Sequence, residues 1–299
     1  VMDSRDALEV QLMGAMEQEL APIPGETMSL ADIDRMLEHV DKNTILVACM
    51  MVNNEIGTRN DVERLAAEVK RRNSRTIVHV DAVQAWMRVP IKLANIDTLA
   101  VSGHKIHAPK GIGLLFVRKG VLFRPFMRGG HQEKGRRAGT ENVPYIVGLG
   151  VACQLAKDSM HDELTRVAAL RDRLEKGIVS QIPDTLVNGD TENRVPNTTN
   201  ISFRNIEGEA ILLMLNQYNI CASSGSACTS GSLDPSHVLL AIGRPHEVAH
   251  GSLRLTLCES NTEAEIDHIL ACVPEIVAYL RGMSPVWRDL VEGKKSFIL

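Results

Sequence analysis

Short apolar runs alternate with amphipathic segments along the first half of the chain. Each run is mostly apolar and shorter than a typical helix, which predicts strands buried in a sheet. The predicted strands cover residues 44–52, 76–80, 97–102 and 112–117. Helices are predicted at 5–20, from Ser29 with a Ser29/Asp32 capping-box pattern, and from Asn60. The alternation predicts an α/β fold with a mixed, mostly parallel sheet that is covered by helices.

The pattern changes after residue 145. Two long helical segments, at about 145–157 and 161–181, predict a connection, and a smaller α+β region begins near residue 185. We therefore predict a large domain at 1–145, connecting helices at 146–184 and a small C-terminal domain at 185–299. In the small domain the predicted strands are 198–204, 219–223 and 252–257, and the predicted helices are 207–217, 235–242 and 262–281.

The carboxyl ends of the predicted strands indicate where a site lies. Open α/β sheets bind their ligands just beyond these ends. Asn54, Asp81 and Lys105 each follow an apolar run closely. We expect these three side chains to contribute to the functional site.

Composition excludes several classes of function. The chain has 299 residues, of which 44% are hydrophobic and 23% charged, and a net charge of −4. No basic cluster suggests a nucleic-acid partner, and no apolar run is long enough to span a membrane. The six cysteines contain no C-x-x-C pair, so we expect neither a metal site nor a disulfide framework. We expect a cytoplasmic protein, because the start of the chain resembles neither a signal peptide nor a transit peptide. An organellar location stays open.

Lys105 is the first candidate for covalent chemistry. A lysine beside a buried strand end can be desolvated, which lowers its pKa and makes the amine a nucleophile for carbonyl carbon. The alternative is a solvated lysine after a strand. Asp81 favours the covalent role of Lys105, because a pyridoxal cofactor needs a carboxylate against its pyridine nitrogen. Asp81 could instead cap a helix at 82–86, and Gln84 and Asn54 could reach the ring substituents.

Two glycine-containing segments could hold a phosphate. Ser102 and His104 flank Gly103 and supply a hydroxyl and an imidazole beside small backbone. A second basic, glycine-rich loop covers 129–140 and ends at Thr140. Either loop alone is weak evidence, because many glycine-rich loops are only turns.

Cys228 and Arg254 are candidates in the second half of the chain. Cys228 lies in a run of small polar residues, 223–232, which is typical of an exposed, mobile loop. Such a thiol could be a nucleophile that travels, or a surface cysteine without a role. Arg254 interrupts an apolar strand and needs an anionic partner, which is either a structural ion pair or a substrate carboxylate.

These motifs, in this order, resemble those of the cysteine desulfurases of the NifS/IscS type, within the class V aminotransferase superfamily. The similarity covers about residues 40–290. The matching runs are Asn53-Asn54-Glu55-Ile56-Gly57, His79-Val80-Asp81-Ala82-Val83-Gln84, Ser102-Gly103-His104-Lys105, Gly135-Arg136-Arg137-Ala138-Gly139-Thr140-Glu141-Asn142 and Ser223-Ser224-Gly225-Ser226-Ala227-Cys228-Thr229-Ser230-Gly231.

The resemblance implies a type I pyridoxal-phosphate-dependent transferase fold, a homodimer and the conversion of L-cysteine to L-alanine. Lys105 would bind pyridoxal 5'-phosphate covalently, and Cys228 would take up the sulfur as a persulfide for an iron–sulfur scaffold or another acceptor protein. The remaining implied roles are a pyridine-nitrogen partner at Asp81, ring or substrate contacts at Gln84 and Asn54, phosphate contacts at Ser102 and His104, a phosphate contact in the other subunit at Thr140, and a carboxylate contact at Arg254.

The chain also departs from the family pattern. It lacks the family's first segment, which carries a phosphate loop, and Ser4 falls where a ring-stacking histidine is expected. Residues 258–261 replace a stretch that usually carries an arginine and an aromatic residue. A fragment, one half of a split enzyme and a degenerate paralogue are all compatible with this pattern. We expect weak cofactor binding and slow turnover from the chain alone.

Two other functions compete with the desulfurase. A selenocysteine lyase would share the fold but would need no persulfide carrier, so the cysteine loop favours a desulfurase. A catalytically silent subunit would keep only the dimer and docking surfaces. A cofactor absorbance band lost in Lys105→Ala would exclude the silent subunit, and a persulfide on Cys228 would exclude the lyase.

Overall fold

The computed structural model describes residues 33–225 and 235–294. The described residues form two compact units. The first unit comprises Ile33–Asn53 and Asn60–Leu164, and the second comprises Asn54–Arg59 with the described residues from Thr165 onward. The predicted helix 5–20, the capping pattern at Ser29 and the position of Ser4 lie outside the described residues, and the predicted domain bounds stay a prediction.

The first unit is built around a four-stranded sheet with the order β1-β2-β3-β4. Strands β1 to β3 are parallel and β4 is antiparallel to β3, which agrees with the predicted mixed, mostly parallel sheet. Its elements are α1 (Ile33–Glu38), β1 (Leu46–Met50), α2 (Val62–Arg72), β2 (Ile77–Asp81), β3 (Thr98–Ser102), a 3-10 turn (Gly103–Ile106), β4 (Gly113–Val117), a single helical turn (Gln132–Gly135) and α3 (Val143–Asp162).

Strand β1 is less buried than its sequence predicts. The run 44–52 predicts a fully buried strand, but Leu46 is 41% exposed and the preceding Ile45 is 74% exposed. Within the described part of the chain β1 has a neighbour on one side only, β2. Among the described residues, its apolar side chains therefore lack the cross-strand neighbours that a second flanking strand would supply.

The second unit packs helices on a three-stranded antiparallel sheet with the order β5-β6-β7. This is the α+β arrangement that the sequence predicts. Its elements are α4 (Ala168–Gln181), β5 (Thr185–Asn188), β6 (Thr198–Phe203), α5 (Gly208–Gln217), α6 (His237–Ala241), α7 (His246–His250), β7 (Ser252–Thr256), α8 (Glu263–Met283) and α9 (Pro285–Val291), and a π-helical turn (Glu163–Val167) precedes α4.

The main apolar cluster in the described part of the second unit lies on its sheet, apart from a smaller one formed by Ile56, Leu239 and Ala249. The main cluster joins α4, α5 and α8 to the sheet through fully buried side chains such as Leu174, Phe203 and Val273. The predicted capping box of α8 is present, because Thr262 accepts from the Glu265 N–H and Glu265 accepts from the Thr262 N–H.

One local prediction for the second unit was wrong. Residues 219–223 form no strand, because only Ser223 pairs, in an isolated bridge with Arg254. Residues Pro285–Val291, where the sequence has no clear pattern, form a helix, because the Ser284 side chain accepts from Trp287 N and Pro285 occupies the first helical position. Among the described helices none alone is long and apolar enough to cross a membrane, although α8 and α9, bent by 91°, pass that test as a pair.

Candidate functional site

The turn after β2 carries the first two candidate residues. Asp81 is the last residue of β2, and Gln84 follows in a turn, so the helix considered for 82–86 does not form. Oδ1 of Asp81 accepts a hydrogen bond from the Val83 N–H at 2.9 Å. Within the described residues no hydrogen bond engages Oδ2. One carboxylate oxygen therefore fixes the turn, and the other is available to a ligand.

The turn after β3 carries three more candidates. Ser102 ends β3, and the 3-10 turn Gly103–Ile106 follows it directly. The Ser102 hydroxyl and Nδ1 of His104 are hydrogen-bonded at 2.7 Å, and Lys105 is half-buried beside them. A Cβ on Gly103 would lie 3.0 Å from atoms of Ile112 and Leu149, so a larger residue would displace this turn.

The two turns lie at neighbouring ends of the same sheet. β2 and β3 are parallel, and Asp81 is registered against Ala100, two residues before the end of β3. Parallel register brings their carboxyl ends to one edge. A carboxylate, a hydroxyl–imidazole pair and a half-buried lysine therefore lie at the same edge of the sheet.

Arg88 is a residue that sequence reasoning missed at this edge. Its Nη2 donates a hydrogen bond to the backbone oxygen of Lys105 at 2.8 Å. Its Nε and Nη1 are shielded from solvent. The available signal was a charged residue placed between Met87 and Val89 in an apolar stretch, since a buried arginine requires partners.

His79 was also missed and lies on the same strand as Asp81. Side chains two residues apart on a strand share a face. Nδ1 of His79 is hydrogen-bonded to the Thr98 hydroxyl at 2.8 Å. Burial lowers the pKa of His79, and the charge of Asp81 opposes this only in part. The imidazole is therefore neutral at neutral pH and adds no positive charge to this face.

The second unit holds two further candidates, Asn54 and Arg254. Arg254 is half-buried in β7, and its Nη1 donates to the backbone oxygen of Asn54 at 2.7 Å. The backbone of Arg254 pairs with Ser223, with Arg254 N 2.6 Å from the Ser223 oxygen. The structure thus brings Asn54, Arg254 and the start of the cysteine-bearing run together.

The remaining candidates are less defined. Thr140 is exposed in the loop that precedes α3, next to Gly139 with a positive φ of 98°. Cys228 lies outside the described residues. Asn54 and Arg254 belong to a different compact unit from Asp81, Gln84, Ser102, His104 and Lys105.

Comparison with known proteins places this geometry in a family. The family model described as "Aminotransferase class-V" matches residues 9–269. The chain belongs to the aminotransferase class-V family. The family consists of pyridoxal-phosphate enzymes of fold type I, and the observed sheet and its helices agree with that fold.

Relatives within the family are cysteine desulfurases. The chain is 56% identical over 260 residues to the cysteine desulfurase of Trichormus azollae, covering 86% of this chain and 64% of the relative. It is 50% identical to the cysteine desulfurase NifS of Azotobacter vinelandii, covering 89% of this chain and 66% of the relative. The chain therefore spans somewhat less than two thirds of the length of these curated relatives.

A solved structure gives the same relationship. The structure of a "NIFS-LIKE PROTEIN" superposes with a TM-score of 0.80 at 34% identity and covers 93% of this chain and 73% of that chain. The resemblance to NifS/IscS-type desulfurases, which the motifs indicated, is confirmed.

Proposed function

We propose that this chain carries the core of a pyridoxal-phosphate-dependent cysteine desulfurase that forms L-alanine from L-cysteine. The observation that carries the proposal is the pair of turns at the ends of β2 and β3. They bring the Asp81 carboxylate and the Lys105 segment to one edge of the sheet, beside the hydrogen-bonded Ser102 and His104. Relatives named cysteine desulfurases support this choice over a lyase or a silent subunit.

The described residues suit pyridoxal phosphate by their chemistry. Lys105 would hold the cofactor covalently, Asp81 would pair with its ring nitrogen, and Ser102 and His104 would donate to its phosphate. Gln84 and Asn54 would contact the ring oxygen or the substrate. Thr140 would contact the phosphate of the cofactor that a partner subunit binds. When bound, the cofactor supplies an electron sink for the carbons of an amino acid.

The chain's own residues would then carry the sulfur and the protons. Arg254 would bind the substrate carboxylate through its guanidinium. Lys105 would move a proton to and from the substrate carbons. The Cys228 thiolate would attack the substrate sulfur, so that the carbon–sulfur bond breaks, a sulfur–sulfur bond forms and the former thiol carbon gains a proton. One cysteine and one enzyme thiol thus give one alanine and one persulfide.

The persulfide is the product that tests this proposal. After addition of L-cysteine to the cofactor-loaded protein, fragmentation mass spectrometry that resolves Cys228 from Cys221 should find one extra sulfur on Cys228 itself. Exposed Cys221 lies seven positions earlier and is the internal control for non-specific sulfuration. Cys228→Ser should release no alanine.

Two results would contradict the proposal. Extra sulfur distributed equally over Cys221 and Cys228 would indicate uncatalysed chemistry. Sulfide released at the full rate by Cys228→Ser would indicate a lyase that needs no carrier. A sulfur-acceptor protein, such as an iron–sulfur scaffold, would take the sulfur from Cys228 in the cell.

We also propose that the protein acts as a homodimer through helix α3. Val143, Val147, Val151 and Leu155 recur every four residues, and they are 60%, 59%, 54% and 64% exposed. The opposite side of α3 packs Leu149 and Ala152 against Ile106 and Ala108 within its own unit. A continuous exposed apolar stripe is typical of a subunit interface.

The double variant Val147→Asp/Val151→Asp should weaken the dimer at least about 100-fold, because two unpaired charges would be desolvated in the interface. Sedimentation over a range of concentrations measures the dissociation constant. Lys157→Glu, exposed on the same helix but outside the stripe, should leave it unchanged. A double variant that stays as dimeric as the parent would exclude α3 from the interface.

A further inference from the structure

The turn between β2 and β3 is tied to the sheet by backbone hydrogen bonds where it carries Arg88. Ala82 and Ala85 are fully buried, and Ala82 N donates to the Ala100 oxygen of β3 at 3.0 Å. Arg88 N donates in turn to the Ala85 oxygen at 3.0 Å. Met87, immediately before it, has a φ of 60°, which residues with a side chain rarely adopt. This conformation fixes the direction in which the chain presents Arg88.

The Arg88 side chain links two turns that are separate in sequence. Its own turn begins with Asp81 and includes Gln84. Its Nη2 donates to the carbonyl oxygen of Lys105 at 2.8 Å, so it holds the turn that follows β3. Two of its other nitrogens are shielded from water, which strengthens a charge-assisted hydrogen bond.

Lys105 has a particular need for such support. It lies in a four-residue 3-10 turn that ends at His107 in the left-handed conformation, with a φ of 63°. Short 3-10 turns have poorer internal hydrogen-bond geometry than an α-helix. Contacts from outside the turn therefore help to fix the Lys105 backbone, and Arg88 supplies one of them beside the bond from Gly103 N to the Ile112 oxygen at 2.9 Å.

We propose that Arg88 is a positioning residue that holds the Lys105 backbone at the distance from Asp81 that covalent cofactor attachment requires. The inference rests on the proposed function, because it assigns Lys105 to pyridoxal phosphate. Arg88 touches no reacting atom and acts through the Lys105 carbonyl. A residue with this role affects the lysine–cofactor bond more than the pocket that receives the ring and the phosphate.

Two ligands separate these effects. Pyridoxal phosphate requires correct placement of the Lys105 amine, whereas pyridoxamine phosphate carries the same ring and phosphate but cannot bond to a lysine. In Arg88→Met the affinity for pyridoxal phosphate, followed by absorbance, should fall by about tenfold or more. The yield of borohydride-fixed adduct on Lys105 should fall with it, while the affinity for pyridoxamine phosphate stays within about threefold.

Arg88→Lys, which keeps a donor of shorter reach, should fall between the parent and Arg88→Met for pyridoxal phosphate alone. If Arg88→Met does not fold, the affinities for the two ligands are compared in Arg88→Lys instead. An equal loss of affinity for both ligands, or no loss of affinity for either, would overturn the positioning role. A parent protein that forms no Lys105 adduct would overturn the proposed function first, which distinguishes the two failures.

Discussion

Lys105→Ala is expected to remove covalent cofactor attachment and to reduce alanine formation by about a thousandfold or more. The variant loses the only proposed covalent attachment to the cofactor and, with it, the group that moves protons at the substrate carbons. The absorbance band of the bound cofactor should disappear, and borohydride should leave no pyridoxyl mass on the peptide that contains residue 105.

Lys110→Ala is the matched control. Lys110 is exposed, lies five residues further along the same segment and has no proposed role. It should retain the band, the adduct and the rate. If Lys105→Ala kept a borohydride-fixed adduct elsewhere and turned over cysteine at the parental rate, the assignment of Lys105 would be wrong.

The strand ends were accessible to sequence reasoning, because a short apolar run followed by a polar residue needs only local information. The runs ending near Asp81 and Ser102 are strands with these ends in the structure. The neighbouring position of these ends follows from parallel pairing, which the alternation of strands and helices indicates. The local sequence was therefore enough to name the candidate residues. Their grouping within the first unit could be predicted from the parallel pairing of the strands.

Contacts over long sequence separations were not accessible in this way. Arg88 reaches the Lys105 carbonyl across 17 positions, and its direction depends on an unusual backbone angle at Met87. The exposure of Leu46 depends on how many strands flank β1, which an apolar run cannot report. The segment 219–223, predicted as a strand, pairs only at Ser223, and of its residues Ile220 is the one with a marked preference for strands.

The buried ionic cluster of the second unit is another feature without a local signal. Arg194 donates to both carboxylate oxygens of Glu175, at 2.5 and 3.0 Å, and to Asp172 at 3.3 Å. The Thr199 hydroxyl also donates to Glu175, at 2.5 Å. The side chains of Arg194 and Glu175 are only 6% and 10% exposed. The carboxylate is thus charged, buried and paired by residues that are 19 and 24 positions away in sequence.

Arg194→Met should lower the free energy of unfolding by about 3–5 kcal/mol, because it leaves the Glu175 carboxylate buried without its cation. Urea denaturation followed by circular dichroism measures the loss. Arg173→Met is the control, since Arg173 pairs with Asp267 at the surface, where the side chains are 44% and 61% exposed. It should cost no more than about 1 kcal/mol.

The difference in unfolding free energy between the parent and Arg194→Met should depend on pH, and this dependence tests whether charge is its cause. Burial alone would raise the pKa of Glu175, but the hydrogen bonds from Arg194 and Thr199 outweigh it, so the pKa lies below its ordinary value of 4.5. The folded parent therefore binds fewer protons than the unfolded chain, and it loses this stability as pH falls from 4.5 through the lowered pKa. In Arg194→Met burial is opposed only by Thr199 and Arg171, so the Glu175 pKa shifts upward and the variant loses less stability than the parent as the pH falls. The gap between the two proteins should narrow as pH falls, and a constant gap would assign the loss to packing rather than charge.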